Sequence, residues 1–164
     1  MTGLYVHIPF CLSKCHYCDF VITTSFAPDS HSLFLKALER EIDHYKTDFE
    51  NRVFDTLYLG GGTPSVMNVE ETQVLFDLLR KNFKFKRNAE VTCEANPGDI
   101  RNENAENYRK LGVNRISLGA QSFRDNTLKR LNRRHSAKDI SDSFKILREN
   151  GFQNISFDLI LSLP

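Results

Sequence analysis

Gly112-Val-Asn-Arg-Ile-Ser-Leu-Gly-Ala-Gln121 and its near repeat Gly151-Phe-Gln-Asn-Ile-Ser-Phe-Asp-Leu-Ile160 decide how this chain folds. Each opens with a glycine just past a helical pattern, where a left-handed residue is wanted. Each then runs on into alternating apolar and polar residues, so the same helix-to-strand turn is used twice. With a two-residue strand period, Ile116, Leu118 and Ala120 share one face, and Arg115, Ser117, Gly119 and Gln121 the other. Ile155, Phe157 and Leu159 likewise oppose Ser156 and Asp158. Strands separated by helices imply right-handed crossovers and a parallel sheet. A flat sheet covered on both faces would need continuously apolar strands, and these strands keep one polar face. The pattern therefore predicts an α/β fold whose curved parallel sheet carries helices outside and a polar lumen inside. In β/α barrels of this kind the functional face is the C-terminal end of the strands.

The alternation continues outward in both directions. Strands are expected at Leu4–Ile8, Thr56–Gly60, Glu90–Ala95, Arg115–Leu118 and Ile155–Ile160, with helices at 31–47, 69–82, 102–111, 125–132 and 137–150. Asn68 with Glu71, and Ser136 with Asp139, carry capping-box signals. By the same period Tyr5 and His7 face away from Leu4, Val6 and Ile8, while Thr92, Glu94 and Asn96 face away from Val91, Cys93 and Ala95. Glu94, Gln121 and Asp158 thus point into one lumen from three strands. The stretch Leu159–Pro164 ends just after the fifth strand with no covering helix. A full eightfold barrel takes ~250 residues, so residues 1–164 read as a single incomplete barrel domain, truncated after its fifth strand.

Composition narrows the classes of partner. With 40% hydrophobic and 26% charged residues the chain suits one soluble globular domain. Lys and Arg number 22 against 21 Asp and Glu, and no basic stripe stands out, which argues against nucleic acid. No apolar run approaches the ~20 residues needed to span a bilayer. The run Leu4–Phe10 is interrupted by His7 and Pro9 and lacks the features of a signal peptide. A cytoplasmic location is expected.

Chemistry concentrates after the first strand, where Cys11, Cys15 and Cys18 stand within eight residues. A four-iron cluster held by three thiolates leaves one iron open for a small molecule, whereas four thiolates close it for electron transfer. Two other readings remain open at this level: a structural Cys3His zinc site completed by His7 or His16, and disulfide pairing, disfavoured with only 4 cysteines in the chain. Cys93 faces the helices and reads as a small buried hydrophobe. Gly60-Gly61-Gly62-Thr63-Pro64 follows the second strand, where missing Cβ atoms allow close backbone approach to a ligand, or simply a flexible turn. Glu94 can accept a hydrogen bond from an ammonium or hydroxyl, or pair with Arg115 on the next strand. Arg133 can grip a carboxylate, Arg134 reads as a solvated charge, and His135 alone says little. Asp19 reads as a turn cap, with Tyr17 and Phe20 as shields for the thiols.

Taken together, Tyr5-Val-His-Ile-Pro-Phe-Cys11, the Cys-x3-Cys-x-Tyr-Cys spacing, GGGTP, Glu94-Ala-Asn-Pro, Gly119-Ala-Gln-Ser-Phe123 and Asp158-Leu-Ile resemble the radical S-adenosylmethionine (SAM) superfamily. More narrowly they resemble the oxygen-independent coproporphyrinogen III oxidase-like proteins. The resemblance implies a partial (β/α)6 barrel, with a 4Fe–4S cluster on Cys11, Cys15 and Cys18 and SAM chelating the fourth iron. It implies SAM contacts from the backbone at Gly61, Gly62 and Thr63, from Glu94 to a polar group, and from Arg133 to the carboxylate. It further implies Gln121 and Asp158 at the ribose, Tyr17 at the adenine and Tyr5 close by. An electron donor and a haem or porphyrinogen partner follow, the latter bound largely by regions beyond Pro164. The oxidases themselves carry a further cysteine shortly after the motif. Asp19-Phe20 stands there instead, which is similar to the haem-chaperone branch. The resemblance thus implies either haem delivery or oxidative decarboxylation of coproporphyrinogen III.

Overall fold

In the computed structural model, which describes residues 1–162, five parallel strands form one sheet in the order β1-β2-β3-β4-β5. They are β1 Gly3–Ile8, β2 Val53–Gly61, β3 Lys84–Ala95, β4 Arg115–Gln121 and β5 Asn154–Leu159. The connecting helices are α1 Ser30–Phe49, α2 Val69–Asn82, α3 Asn102–Lys110, α4 Asp125–Arg130 and α5 Ala137–Glu149. The expected parallel α/β alternation is therefore present throughout. Of the segment after the fifth strand, Leu163 and Pro164 lie outside the described residues.

Boundaries differ where tertiary packing overrides local pattern. The β2–β3 pair begins several residues earlier than expected, at Val53↔Lys84, with a register shift between Phe54 and Thr56. Lys84-Phe-Lys-Arg87 is too charged to read as strand, yet Phe85 packs on Phe54, and Phe54 meets Phe49 and Phe83 edge-on or tilted. This aromatic cluster extends the pairing below the part that alternation marks. Helix α4 stops at Arg130 because Asn132 turns to φ 59°, a conformation that asparagine tolerates better than most residues.

The predicted faces are otherwise kept. Val6, Ile8, Leu57, Leu59, Cys93, Ala95, Ile116 and Leu118 lie buried on the outer side of the sheet. They pack with Leu75 and Leu79 of α2, Tyr108 of α3 and Leu147 of α5; each large aliphatic so buried contributes about 1.5–3 kcal/mol. Both capping boxes form: Glu71 N–H donates to Asn68 Oδ1 and Asn68 N–H returns to Glu71 Oε2, each at 2.8 Å, and Ser136 with Asp139 does the same. Gly112 (φ 74°) and Gly151 (φ 83°) make the repeated turn. One expectation needs correction. Leu159 shares the outer face but is 51% exposed, because β5 is the edge strand and no described helix lies over its end.

Candidate functional site

At the C-terminal ends of the strands the lumen widens into a cavity of about 740 Å3. Cys11, Cys15 and Cys18 line it, and so do Glu94, Gln121, Arg133 and Asp158. Tyr17, Gly61, Gly62 and Thr63 complete the sequence-predicted set on its wall. Tyr5 stands on the lumen face of β1 but does not reach the wall.

The cysteine loop is held from two sides. On the β1 side, Phe10 pairs with Thr23, Cys11 N–H donates to Thr23 O at 3.0 Å, and Thr23 N–H donates to Pro9 O at 2.8 Å. Phe10 is seated among Phe26, His31 and Phe34, with centroids 4.4–5.6 Å away. On the α4 side, His16 N–H reaches Leu131 O (3.1 Å), His16 Nδ1 reaches Arg130 O (2.8 Å), and Asn132 Nδ2 donates to Lys14 O (2.8 Å). Cys11 Sγ lies 3.2 Å from Thr63 Oγ1. Burial raises the Cys11 thiol pKa above its usual value, and the neighbouring Cys18 and Cys15 add to the shift.

This arrangement bears on the zinc alternative. A Cys3His zinc site would need one of the nearby histidines as its fourth ligand. Both nitrogens of His7 are engaged, by Tyr5 Oη at 3.0 Å and Val21 O at 2.8 Å. His16 is turned to the carbonyl of Arg130. All four cysteines are free thiols. Cys93 sits at 1% exposure on the helix side, its thiol pushed up to about 12 by burial, as an inert core residue should be.

The glycine strip is set by the protein itself. A Cβ on Gly62 would lie 2.7 Å from Ile8 O and Phe10 O. One on Gly61 would meet the His7 ring at 2.6 Å, at φ +107°. The N–H groups of Gly61, Gly62 and Thr63 donate to Glu94 Oε2 (3.2 Å), Ile8 O (2.7 Å) and Phe10 O (2.8 Å). These three donors are therefore taken by the protein itself. Glu94 does not pair with Arg115: it accepts from Tyr58 Oη at 2.7 Å and from Gly61 N–H. Arg115 lies one strand period lower, beside Glu90 (3.5 Å) and Ser156 (3.3 Å).

Across the cavity, Arg133 Nη2 donates to Asn96 Oδ1 and Gly119 O, both at 2.8 Å, while Nη1 lies 3.4 Å from Cys15 Sγ and from Tyr17 Oη. Its Nε is buried without a partner, as is Asn96 Nδ2. His135, 3% exposed, bridges Asn96 Oδ1 (3.0 Å) and Ala120 O (3.1 Å). Burial, then the charge of Arg133, lowers its pKa. Arg134 is not a free charge either, since Nη2 donates to both oxygens of Asp99 at 2.9 and 3.1 Å. Asp158 is held by Ser117 Oγ at 3.0 and 3.2 Å. Gln121 takes φ 62° where β4 shifts register against β5, a backbone conformation seldom kept without a purpose.

Sequence reading missed Tyr58, Asn96, Ser117 and His135 as parts of this site. Three of them lie on the polar phase of their strands, which was the available signal. His135 had none, because its role comes from burial between two loops.

The domain defined by this sheet and this thiol-bearing cavity has known relatives. The radical SAM superfamily model matches residues 5–164. The heme chaperone HemW of Haemophilus influenzae is 35% identical over 99% of this chain and 43% of its own length. The oxygen-independent coproporphyrinogen III oxidase of Escherichia coli is 36% identical over 99% of this chain and 35% of its own. The solved structure of coproporphyrinogen III oxidase (HemN) from E. coli, a radical SAM enzyme, superposes with a TM-score of 0.92, covering 99% of this chain and 38% of that one. The chain belongs to the radical SAM superfamily, whose members bind a 4Fe–4S cluster and SAM. It spans less than half the length of these relatives, and its identity to the chaperone and to the oxidase is nearly equal. No helix among the described residues is long and apolar enough to cross a membrane.

Proposed function

We propose that Cys11, Cys15 and Cys18 hold a 4Fe–4S cluster, that SAM occupies the rest of the cavity, and that the whole protein is a haem chaperone of the coproporphyrinogen oxidase-like family. The observation that carries this reading is the meeting on one cavity wall of the thiols of Cys11, Cys15 and Cys18, the strand carboxylates Glu94 and Asp158, and the guanidinium of Arg133. SAM has an amino group, a carboxylate and a ribose diol, and the wall matches each. Glu94 and the glycine carbonyls are acceptors suited to the amino group. Arg133 brings the positive charge of its guanidinium to the cavity wall, which suits the carboxylate. Asp158, oriented by Ser117, and the Gln121 amide suit the diol.

Together the bound cluster and SAM supply one-electron reductive chemistry that the protein's own side chains lack. The chain's residues position and insulate. Arg133 lies against Cys15 and offsets thiolate charge, Tyr17 and Phe20 cover the loop, and Thr63 Oγ1 steadies Cys11. The thiols must deprotonate to ligate iron, so loading is favoured as pH rises.

The haem-chaperone reading rests on Asp19-Phe20 standing where the oxidases are expected to carry a further cysteine. Oxidative decarboxylation of coproporphyrinogen III is the alternative supported by the HemN structure. Anaerobic reconstitution tests the site: wild type and Cys93→Ala should turn brown and carry iron and sulfide, whereas Cys11→Ala, Cys15→Ala and Cys18→Ala should not. Stable haem binding by the full-length protein without turnover of coproporphyrinogen III supports the chaperone. Turnover overturns it in favour of the oxidase, and a colourless zinc protein overturns both.

A further inference from the structure

Tyr58 belongs to none of the motifs, yet its place is built from three sides. It stands on the lumen face of β2, two residues before Gly60. Its ring climbs one strand period to cover that glycine: a Cβ on Gly60 would lie 2.8 Å from Tyr58 Cε1 and 2.9 Å from the Glu94 carboxyl carbon. Tyr5 on β1 backs the ring, with centroids 6.1 Å apart. At its far end the hydroxyl donates to Glu94 Oε1 at 2.7 Å, while Gly61 N–H donates to Oε2 at 3.2 Å. Gly60 thus lacks a side chain because Tyr58 and Glu94 meet over it.

A carboxylate offers about four lone-pair positions. Here one on each oxygen is taken by a protein donor, and the group is held before any ligand arrives. Asp158 and Arg115 are the other charges that act on the phenol. Burial, then the bond to Glu94, raises the Tyr58 pKa far above the ordinary phenol value, so the hydroxyl remains a donor at any working pH.

We propose that Tyr58 is a positioning residue for the ligand's amino group: its hydroxyl, with Gly61 N–H, fixes Glu94 so that the remaining lone pairs receive that group. The proposal rests on the reading of the cavity as a SAM site. A preset acceptor binds better than one that must be ordered on binding.

The test is anaerobic calorimetry on cluster-reconstituted protein carrying Tyr58→Phe, Glu94→Gln or both. The two ligands are SAM and 5′-methylthioadenosine, which keeps the nucleoside and lacks the amino-acid arm. Tyr58→Phe should weaken SAM about tenfold while leaving methylthioadenosine within about twofold and iron content unchanged. On the Glu94→Gln background it should add no more than about twofold, because both changes remove the same interaction. Equal losses for the two ligands, additive losses with Glu94→Gln, loss of iron, or unchanged SAM affinity would each overturn the role of Tyr58 while leaving the SAM site standing. A wild-type protein that loads iron and binds no SAM overturns the site reading itself, and this proposal with it.

Discussion

At the scale of single residues, Gly62 and His135 owe their identity to neighbours that lie far away in sequence. The backbone of Phe10, one residue before Cys11, packs within 2.7 Å of where a Gly62 Cβ would be. Gly62→Val should therefore cost about 2–3 kcal/mol of stability and displace the cysteine loop, so that less iron is loaded. Denaturant titration and iron content check this together. If only SAM affinity changed, the glycine would be answering to the ligand instead of to the loop. His135 has its folded pKa lowered from 6.5. Below that value the unfolded chain takes up the proton more readily, so the stability this residue contributes is full above 6.5 and declines as pH falls toward the folded pKa. Urea midpoints between pH 7.5 and 5 should fall more steeply in wild type than in His135→Gln. Parallel curves would mean that the imidazole is protonated equally easily in both states.

At the scale of elements, β5 shows strand alternation acting at an edge. Ser156 and Asp158 face the lumen, where Ser117 meets them. Phe157 faces out between Phe123 and Phe144, at 6.1 and 5.8 Å. Asp158→Ala should weaken SAM binding about ten- to a hundredfold with little effect on the fold. Leu159→Ala, half-exposed at the edge, should cost less than about 1 kcal/mol, well below the 2–5 kcal/mol of a core truncation. Phe157→Ala should cost more than Leu159→Ala. Thermal unfolding and SAM titration of the three variants separate these effects. A Leu159→Ala protein with lost ligand affinity and an Asp158→Ala protein without it would show that the lumen face has been assigned to the wrong phase of β5.

At the scale of the whole molecule, what could be read in advance was whatever follows from periodicity and spacing. The five strands, their parallel direction, their faces, the caps and the three thiols are all local signals that the fold preserves. Less legible were features made by distant parts meeting. The Phe49–Phe54–Phe83–Phe85 cluster lengthens β2 and β3 through a charged stretch. Glu94 prefers Tyr58 to Arg115 because the ring can climb over Gly60. Asn96 and His135 become polar supports only once two loops bury them. Asn132 belongs to the same class and joins the first loop of the chain to the end of α4: its positive φ stops the helix, and its amide reaches Lys14 O. Cluster loading should therefore stiffen the seam between the cysteine loop and α4 as well as the loop itself. Because a ligand that binds only the folded state stabilises it, and does so more the tighter it binds, reconstituted protein should melt well above the iron-free form. Asn132→Gly keeps the left-handed turn at ease and removes only the tether. It should shrink the gap between loaded and unloaded melting temperatures while moving the iron-free value little, as paired anaerobic melts would report. An unchanged gap with a lowered iron-free melting temperature would mean that Asn132 serves the helix end alone, and that the cysteine loop is held from the β1 side without it.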